Sequence, residues 1–318
     1  MTSHSIPFVA LVALVAVASN ADAAEVTYVS QLRGTDTGTC PQAEPCRTID
    51  YALGQTATLG QVIILDNGHY GPITITRAVF VRAAAGVHPL ITSTTSTPAV
   101  TVAAGTSDAV TLAGLDIYGF RTGTTGVAVT SAQIVRIIDS SICAFTGMGL
   151  SDTRSSGGFT NLFVSGTEIC FNKTGNVLIA PTNSTEVDAK FKAVIVDAGE
   201  GFGIKSDSSG GGQAITSISD SHFFFLGGPA VMAHSLATGC TTGANVVVDH
   251  TVINFNDSTA AVYADGGCAG VTLNFSEDAL TVAAPLGTAN GGHTLTYGNN
   301  VINFNNNAGT FTGTFNLQ

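Results

Sequence analysis

Apolar residues return at intervals of 25 to 29 positions through the middle of this chain, and that repeat limits the fold more than any other feature. Ile117, Ile142, Ile169, Val196, Phe223 and Val252 form one column, with separations of 25, 27, 27, 27 and 29 residues. Five positions earlier stand Leu112, Ile137, Val164, Phe191, Ile218 and Val247, again all apolar. A third column, eight residues after the first, reads Leu150, Val177, Ile204, Val231 and Ala260, and fails only at Thr125, beside Val127. Gly, Asn, Ser, Thr and Asp fill the spaces between, as turns require. Strands this short and this closely spaced leave no room for crossover helices. The expected fold is therefore all-β, a single-stranded parallel β-helix. Each coil lies about 4.8 Å from the last and pairs its backbone with it. A propeller needs blades of about 40 residues and a leucine-rich repeat needs its own consensus; neither pattern is present.

The ends read as covers for exposed coil edges. Arg47–Thr56 places Ile49, Ala52 and Leu53 on one helical face, a short capping helix for the first coil. A strand is expected at Val62–Leu65, then a turn over Asp66–Gly71, then Ile73–Ile75. The pentapeptide at Val252–Asn256 recurs at Val301–Asn305, 49 residues later, an offset of two shorter coils. Phe311, Phe315 and Leu317 suit a last edge strand or lid. The expected organisation is a signal peptide over 1–23, a cap with a cysteine loop over 24–60, coils over 61–300, and a final coil with an edge strand over 301–318.

The signal peptide rests on the apolar run Ile6–Ala18 followed by a small-x-small pattern at Ala21–Ala23. Thirteen residues fall short of the roughly 20 that span a bilayer. No membrane span is expected in the mature chain, and its place is secreted or periplasmic. A net charge of −11 with only 11 Lys and Arg argues against a nucleic-acid partner, which would need a basic stripe. The 44% apolar content and mean hydropathy of +0.34 argue against disorder. Six cysteines fit an oxidising compartment. Cys40 and Cys46 sit close enough to staple their loop, Cys143 and Cys170 share a column on successive coils, and Cys240 and Cys268 lie one coil apart in loops.

Thr27–Ser30, Cys40–Cys46, Arg47–Ile49, Gly60–Val62 and Asp66–Gly71 together resemble the opening of exported bacterial right-handed parallel β-helix proteins, the pectate-lyase-like superfamily. The resemblance implies a right-handed coil with three sheets and a binding groove on the outer face of one of them. It implies no particular reaction, because lyases, hydrolases, esterases and phage tailspikes share the repeat.

Chemistry must use outward positions and loops, since a β-helix interior is filled. Three positions before the first column lie Gly114, Asp139, Gly166, Ala193, Asp220 and Asp249. Asp220 and Asp249 are thus expected as neighbours, and paired carboxylates raise one pKa or recruit a cation such as calcium. His222 and His250 lie within two residues of them, and His234 follows in a loop. Lyases of this architecture also use a basic residue; the candidates are Arg121, Arg136, Arg154, Lys173, Lys190, Lys192 and Lys205. Lys192 and Asp220, one coil apart, read equally as a surface ion pair. The hydrolase motifs Asn-Thr-Asp, Asp-Asp, Gly-His-Gly and Arg-Ile-Lys are missing, and no Trp offers a sugar platform. The expected function is a structural or surface-associated module that binds glycan or another cell-envelope polymer. The alternatives are a calcium-assisted polysaccharide lyase or related carbohydrate-active enzyme, with Asp220 and Asp249 as ligands or acid/base pair, and a trimeric, tailspike-like fibre. Oligomeric state is not encoded in the pattern.

Overall fold

The computed structural model describes residues 23–156, 158–237, 239, 243–254, 260–274, 279–282, 286–298, 301–304 and 310–314. Its strands form three parallel sheets of 12, 10 and 9 strands, and each coil contributes one strand to each in turn. This is the expected parallel β-helix. Ile117, Ile142, Ile169, Val196 and Phe223 pair rung to rung in the ten-stranded sheet, all with 0% exposure. Burial of such branched side chains, at roughly 1.5–3 kcal/mol each, is what drives the coil closed.

Corners are made by single residues in the left-handed region. Between the 12- and ten-stranded sheets these are Gly114, Asp139, Gly166, Ala193, Asp220 and His250, with φ from 46° to 68°. The following residue turns inward. Where it carries a hydroxyl, at Ser140, Thr167, Ser221 and Thr251, that hydroxyl donates to the carbonyl two residues back at 2.7–2.9 Å. A buried polar group is thereby satisfied at each bend. At the next corner Asn172 does the same work: its Oδ1 accepts from Phe145 N–H and its Nδ2 donates to the Ile142 carbonyl and to Asn176 Oδ1.

The register corrects the last entry of each apolar column. Phe223 pairs with Ile253 and Ile218 with Val248, so Ile253 and Val248 point inward in place of Val252 and Val247. In the nine-stranded sheet Val231 pairs with Val262 rather than Ala260. The cause is local. Asp207 pairs with His234, 27 residues on, but Ala214 pairs with Ala244, 30 residues on, so the connection after His234 is three residues longer.

The N-terminal edge is covered by helix Ile49–Gln55, with Ile49, Ala52 and Leu53 buried against the coil. Thr48 caps it, and Asp36 accepts from the Arg47 and Thr48 N–H groups and the Thr48 hydroxyl, each at 2.9 Å. Disulfides join Cys40 to Cys46 and Cys143 to Cys170. Cys268 is also disulfide-bonded; Cys240, the partner expected for it, lies outside the described residues. Val252, Ala279 and Val301 pair on successive rungs, so the repeated pentapeptide marks two coils. Gly313–Thr314 closes the 12-stranded sheet and Phe311 packs on the core. Residues 1–22, with most of the expected signal peptide, and Phe315 and Leu317 lie outside the described residues.

Candidate functional site

The corner singled out from sequence is an edge of ion pairs. Ser219, not Asp220, stands opposite Asp249, and the Asp220 N–H donates to the Asp249 carbonyl at 3.3 Å. The Asp220 carboxylate faces Lys192 Nζ at 3.8 Å, both side chains more than half exposed, and Asp249 Oδ1 lies 3.0 Å from His250 Nδ1. Exposed pairs of this kind contribute about 0–1 kcal/mol. Each carboxylate faces a base rather than the other carboxylate. His222 is exposed and stacks on Phe224 with ring centroids 5.6 Å apart. Arg154, a base candidate, is fully buried and bound to Asp152, which removes it from any outer groove.

A different group of side chains converges on the nine-stranded sheet. Strands Phe202–Asp207, Val231–His234 and Val262–Asp265 lie side by side, with Asp207, His234 and Asp265 in register at their C-terminal ends. His234 therefore ends a strand; it is not in a loop. Asp207 Oδ1 lies 3.1 Å from His234 Nδ1, and Asp265 Oδ2 lies 3.9 Å from His234 Nε2. Lys205 Nζ contacts Asp207 Oδ2 at 2.7 Å, and Asn290 Nδ2 donates to Asp265 Oδ1 at 2.7 Å. The Lys205, Asp207, His234 and Asp265 side chains are only 12–22% exposed, whereas Asn290 is exposed. Two residues earlier on the same strands, Lys205, Met232 and Tyr263 are in register on the outer face. Gly287 follows Tyr263; a Cβ there would stand 2.8 Å from the Ala260 Cβ and 2.9 Å from the Tyr263 ring, so a side chain would crowd both. Beside the row opens a pocket of about 420 Å³ lined by Ser235–Ala237, Asp265–Cys268 and Asn290.

Burial alone would raise the Asp207 carboxyl, but hydrogen bonds from Lys205, Ser209 and His234 outweigh it and hold the group well below the usual carboxylate range. An ionised carboxylate only accepts, so the His234 Nδ1 must donate to it. This leaves Nε2 directed toward Asp265, which itself lines the pocket. An imidazole oriented in this way, flanked by a second carboxylate and a phenol, can exchange hydrogen bonds with sugar hydroxyls and can take or give a proton. Among the described residues no group of three or more His, Cys, Asp or Glu side chains is disposed to hold a metal ion.

Sequence reasoning named Lys205 and His234 singly but did not join them to Asp207 and Asp265. Asp207 and His234 stand three positions after Ile204 and Val231 of the third column, and that offset was a readable signal. Asp265 was hidden because the column continued to Ala260, where Val262 belongs.

No family model and no curated protein matches the chain. Solved structures do. A tailspike protein, gp49 of the Acinetobacter baumannii bacteriophage Fri1, a capsular polysaccharide depolymerase, is similar with a TM-score of 0.51 at 11% identity, over 92% of this chain and 64% of that one. The GH136 lacto-N-biosidase of Eubacterium ramulus is similar with a TM-score of 0.47 at 10% identity, over 88% of this chain and 68% of that one. At such identities the likeness concerns the fold.

Proposed function

We propose that this chain is an exported glycan-binding β-solenoid, and that it engages sugar on the outer face of the nine-stranded sheet at Lys205, Asp207, His234, Tyr263 and Asp265. The observation that carries the reading is the convergence on three adjacent rungs of two carboxylates, an imidazole, an ammonium and a phenol beside an open pocket. A concave site with a few convergent polar groups is the usual form of a ligand site. Export is supported by the apolar N-terminal run and by the disulfides. The tailspike neighbour, a capsular polysaccharide depolymerase, acts on a glycan, in keeping with this assignment.

Cleavage of the bound glycan at the same place is the second reading. It is favoured by one feature, the imidazole held at Nδ1 by an ionised carboxylate with Nε2 toward Asp265 at the pocket's edge, an orientation that suits a general base. In that reading Nε2 takes the proton of an attacking water. Lys205 is a poor candidate for a lyase base because Asp207 already engages its Nζ.

The test is a panel of soluble neutral and acidic polysaccharides run with the purified protein, reading retention by affinity electrophoresis and new reducing ends or unsaturated products in solution. Retention without products, lost in Asp207→Asn and His234→Ala, supports binding. Products lost in His234→Ala support cleavage. Retention unchanged in both variants would remove the site from either role.

A further inference from the structure

We infer a second carbohydrate-binding surface, along the corner between the ten- and nine-stranded sheets, suited to an uncharged, extended polysaccharide whose successive sugar rings alternate in orientation. The corner residues in the left-handed region on successive rungs are Phe120 with Arg121, then Ala144, Phe171, Ala198 and Phe225, with φ from 48° to 66°. Backbone hydrogen bonds join these rungs in order: Arg121 N–H to Ala144, Ala144 to Cys170, Phe171 to Asp197 and Ala198 to Phe224. In register, the residues that follow the strands read Gly119, Ala144, Phe171, Ala198 and Phe225, so Phe171 and Phe225 stand two rungs apart with Ala198 between them, and Phe120 lies one residue past this column.

A bulky residue in this conformation is strained, at a cost of about 1–2 kcal/mol. Burial does not offset it, because Phe120, Phe171 and Phe225 are 47%, 45% and 64% exposed. The left-handed backbone is common to the corners of this coil; what sets these positions apart is that the residue filling it is a large exposed ring. Tyr118 widens the aromatic strip, meeting Phe120 edge to face at 5.0 Å, and Arg121 lies over Phe171.

Two rungs span roughly 9.6 Å, twice the strand spacing. In an extended chain whose neighbouring rings are turned by half a revolution, every second ring presents the same apolar face. Phenyl rings two rungs apart match that alternation, and the intervening Ala leaves room for the ring turned the other way. Charge chooses among such chains. The adjoining sheet face carries Asp116, Glu168 and Asp197, set against Arg121 and the exposed Lys173 of the strip itself, so neither sign of charge dominates and the rings suit an uncharged chain. Cellulose- and chitin-type polymers have the required chemistry.

This surface is separate from the Asp207–His234–Asp265 row, across the width of the nine-stranded sheet, and the inference does not rest on that row. The experiment is a pull-down of the full chain on insoluble cellulose and chitin, with starch and polygalacturonate as controls. Retention is expected on one of the first two and not on the controls. The Phe171→Ala/Phe225→Ala double variant should be retained roughly tenfold less, the order that two lost aromatic contacts supply. Phe171→Tyr/Phe225→Tyr should be retained as wild type, which separates loss of rings from loss of fold, and Asp207→Asn should be retained unchanged. Absence of retention on both polymers, retention unaffected by the Ala pair, or dimerisation in light scattering that the Ala pair abolishes would overturn the inference.

Discussion

The C-terminal edge of the nine-stranded sheet carries two aspartate–cation clusters, two rungs apart, that face opposite ways. Asp152 pairs in register with Ile179, and Ile179 with Ser206, so Asp207 stands one residue further along its own strand. Strand side chains alternate in direction, so that single step turns Asp152 into the core and Asp207 out of it. Inside, Arg154 is bound to both Asp152 oxygens, and its remaining nitrogen donates to the carbonyls of Ala132, Gln133 and Asn161; neither side chain is exposed. Outside, Asp207 holds Lys205 and His234 at the margin of a pocket. The inner cluster is saturated and closed, whereas the outer one is partly exposed and borders a pocket through Asp265. The same side-chain chemistry is structural in one place and available for ligand in the other.

The largest effect should come from opening the inner cluster. Arg154→Ala leaves Asp152 buried without its partner and should cost about 3–5 kcal/mol in denaturant unfolding. The apolar pair Arg154→Met/Asp152→Leu should recover most of that. A loss under about 1 kcal/mol for Arg154→Ala would mean that water reaches this part of the interior. At the outer cluster, Asp207→Asn should cost less, about 1.5–3 kcal/mol, because the side chains it releases can turn to water.

The acid response sharpens the contrast. The folded Asp207 carboxyl is held below its unfolded value near 3.9. Its stabilisation is therefore complete above that value and is lost as pH falls through the lower folded value. The stability gap between wild type and Asp207→Asn should stay constant from about pH 7 to pH 5 and narrow below about pH 4. A gap that widened in acid would contradict the assignment. The smallest effect is expected from Gly287→Ala, which pushes on the Tyr263 ring. Stability should change by about 0.5–1 kcal/mol, while glycan retention falls a few-fold. Unchanged retention would exclude Tyr263 from the sugar face.

Much of the scaffold was legible before the structure. The apolar columns, the capping residues Ile49, Ala52 and Leu53, the Cys143–Cys170 rung and the two-coil offset from Val252 to Val301 all follow from which residues must be hidden. The site was less so. Asp220 and Asp249 looked adjacent because a constant period was carried across the longer connection after His234, and the one-residue error placed a corner aspartate opposite a strand end. In a sheet, one residue of slip exchanges inside for outside. Asp265 disappeared from view for the same reason.

From the amino-acid order alone came the period, the inward faces and the cap, because removing apolar surface from water depends on residue type and spacing, and both are written along the chain. The tertiary structure decided which outward side chains meet. Loop insertions and rung-to-rung hydrogen bonding set the register between residues about thirty apart, and only that register brings His234 between Asp207 and Asp265.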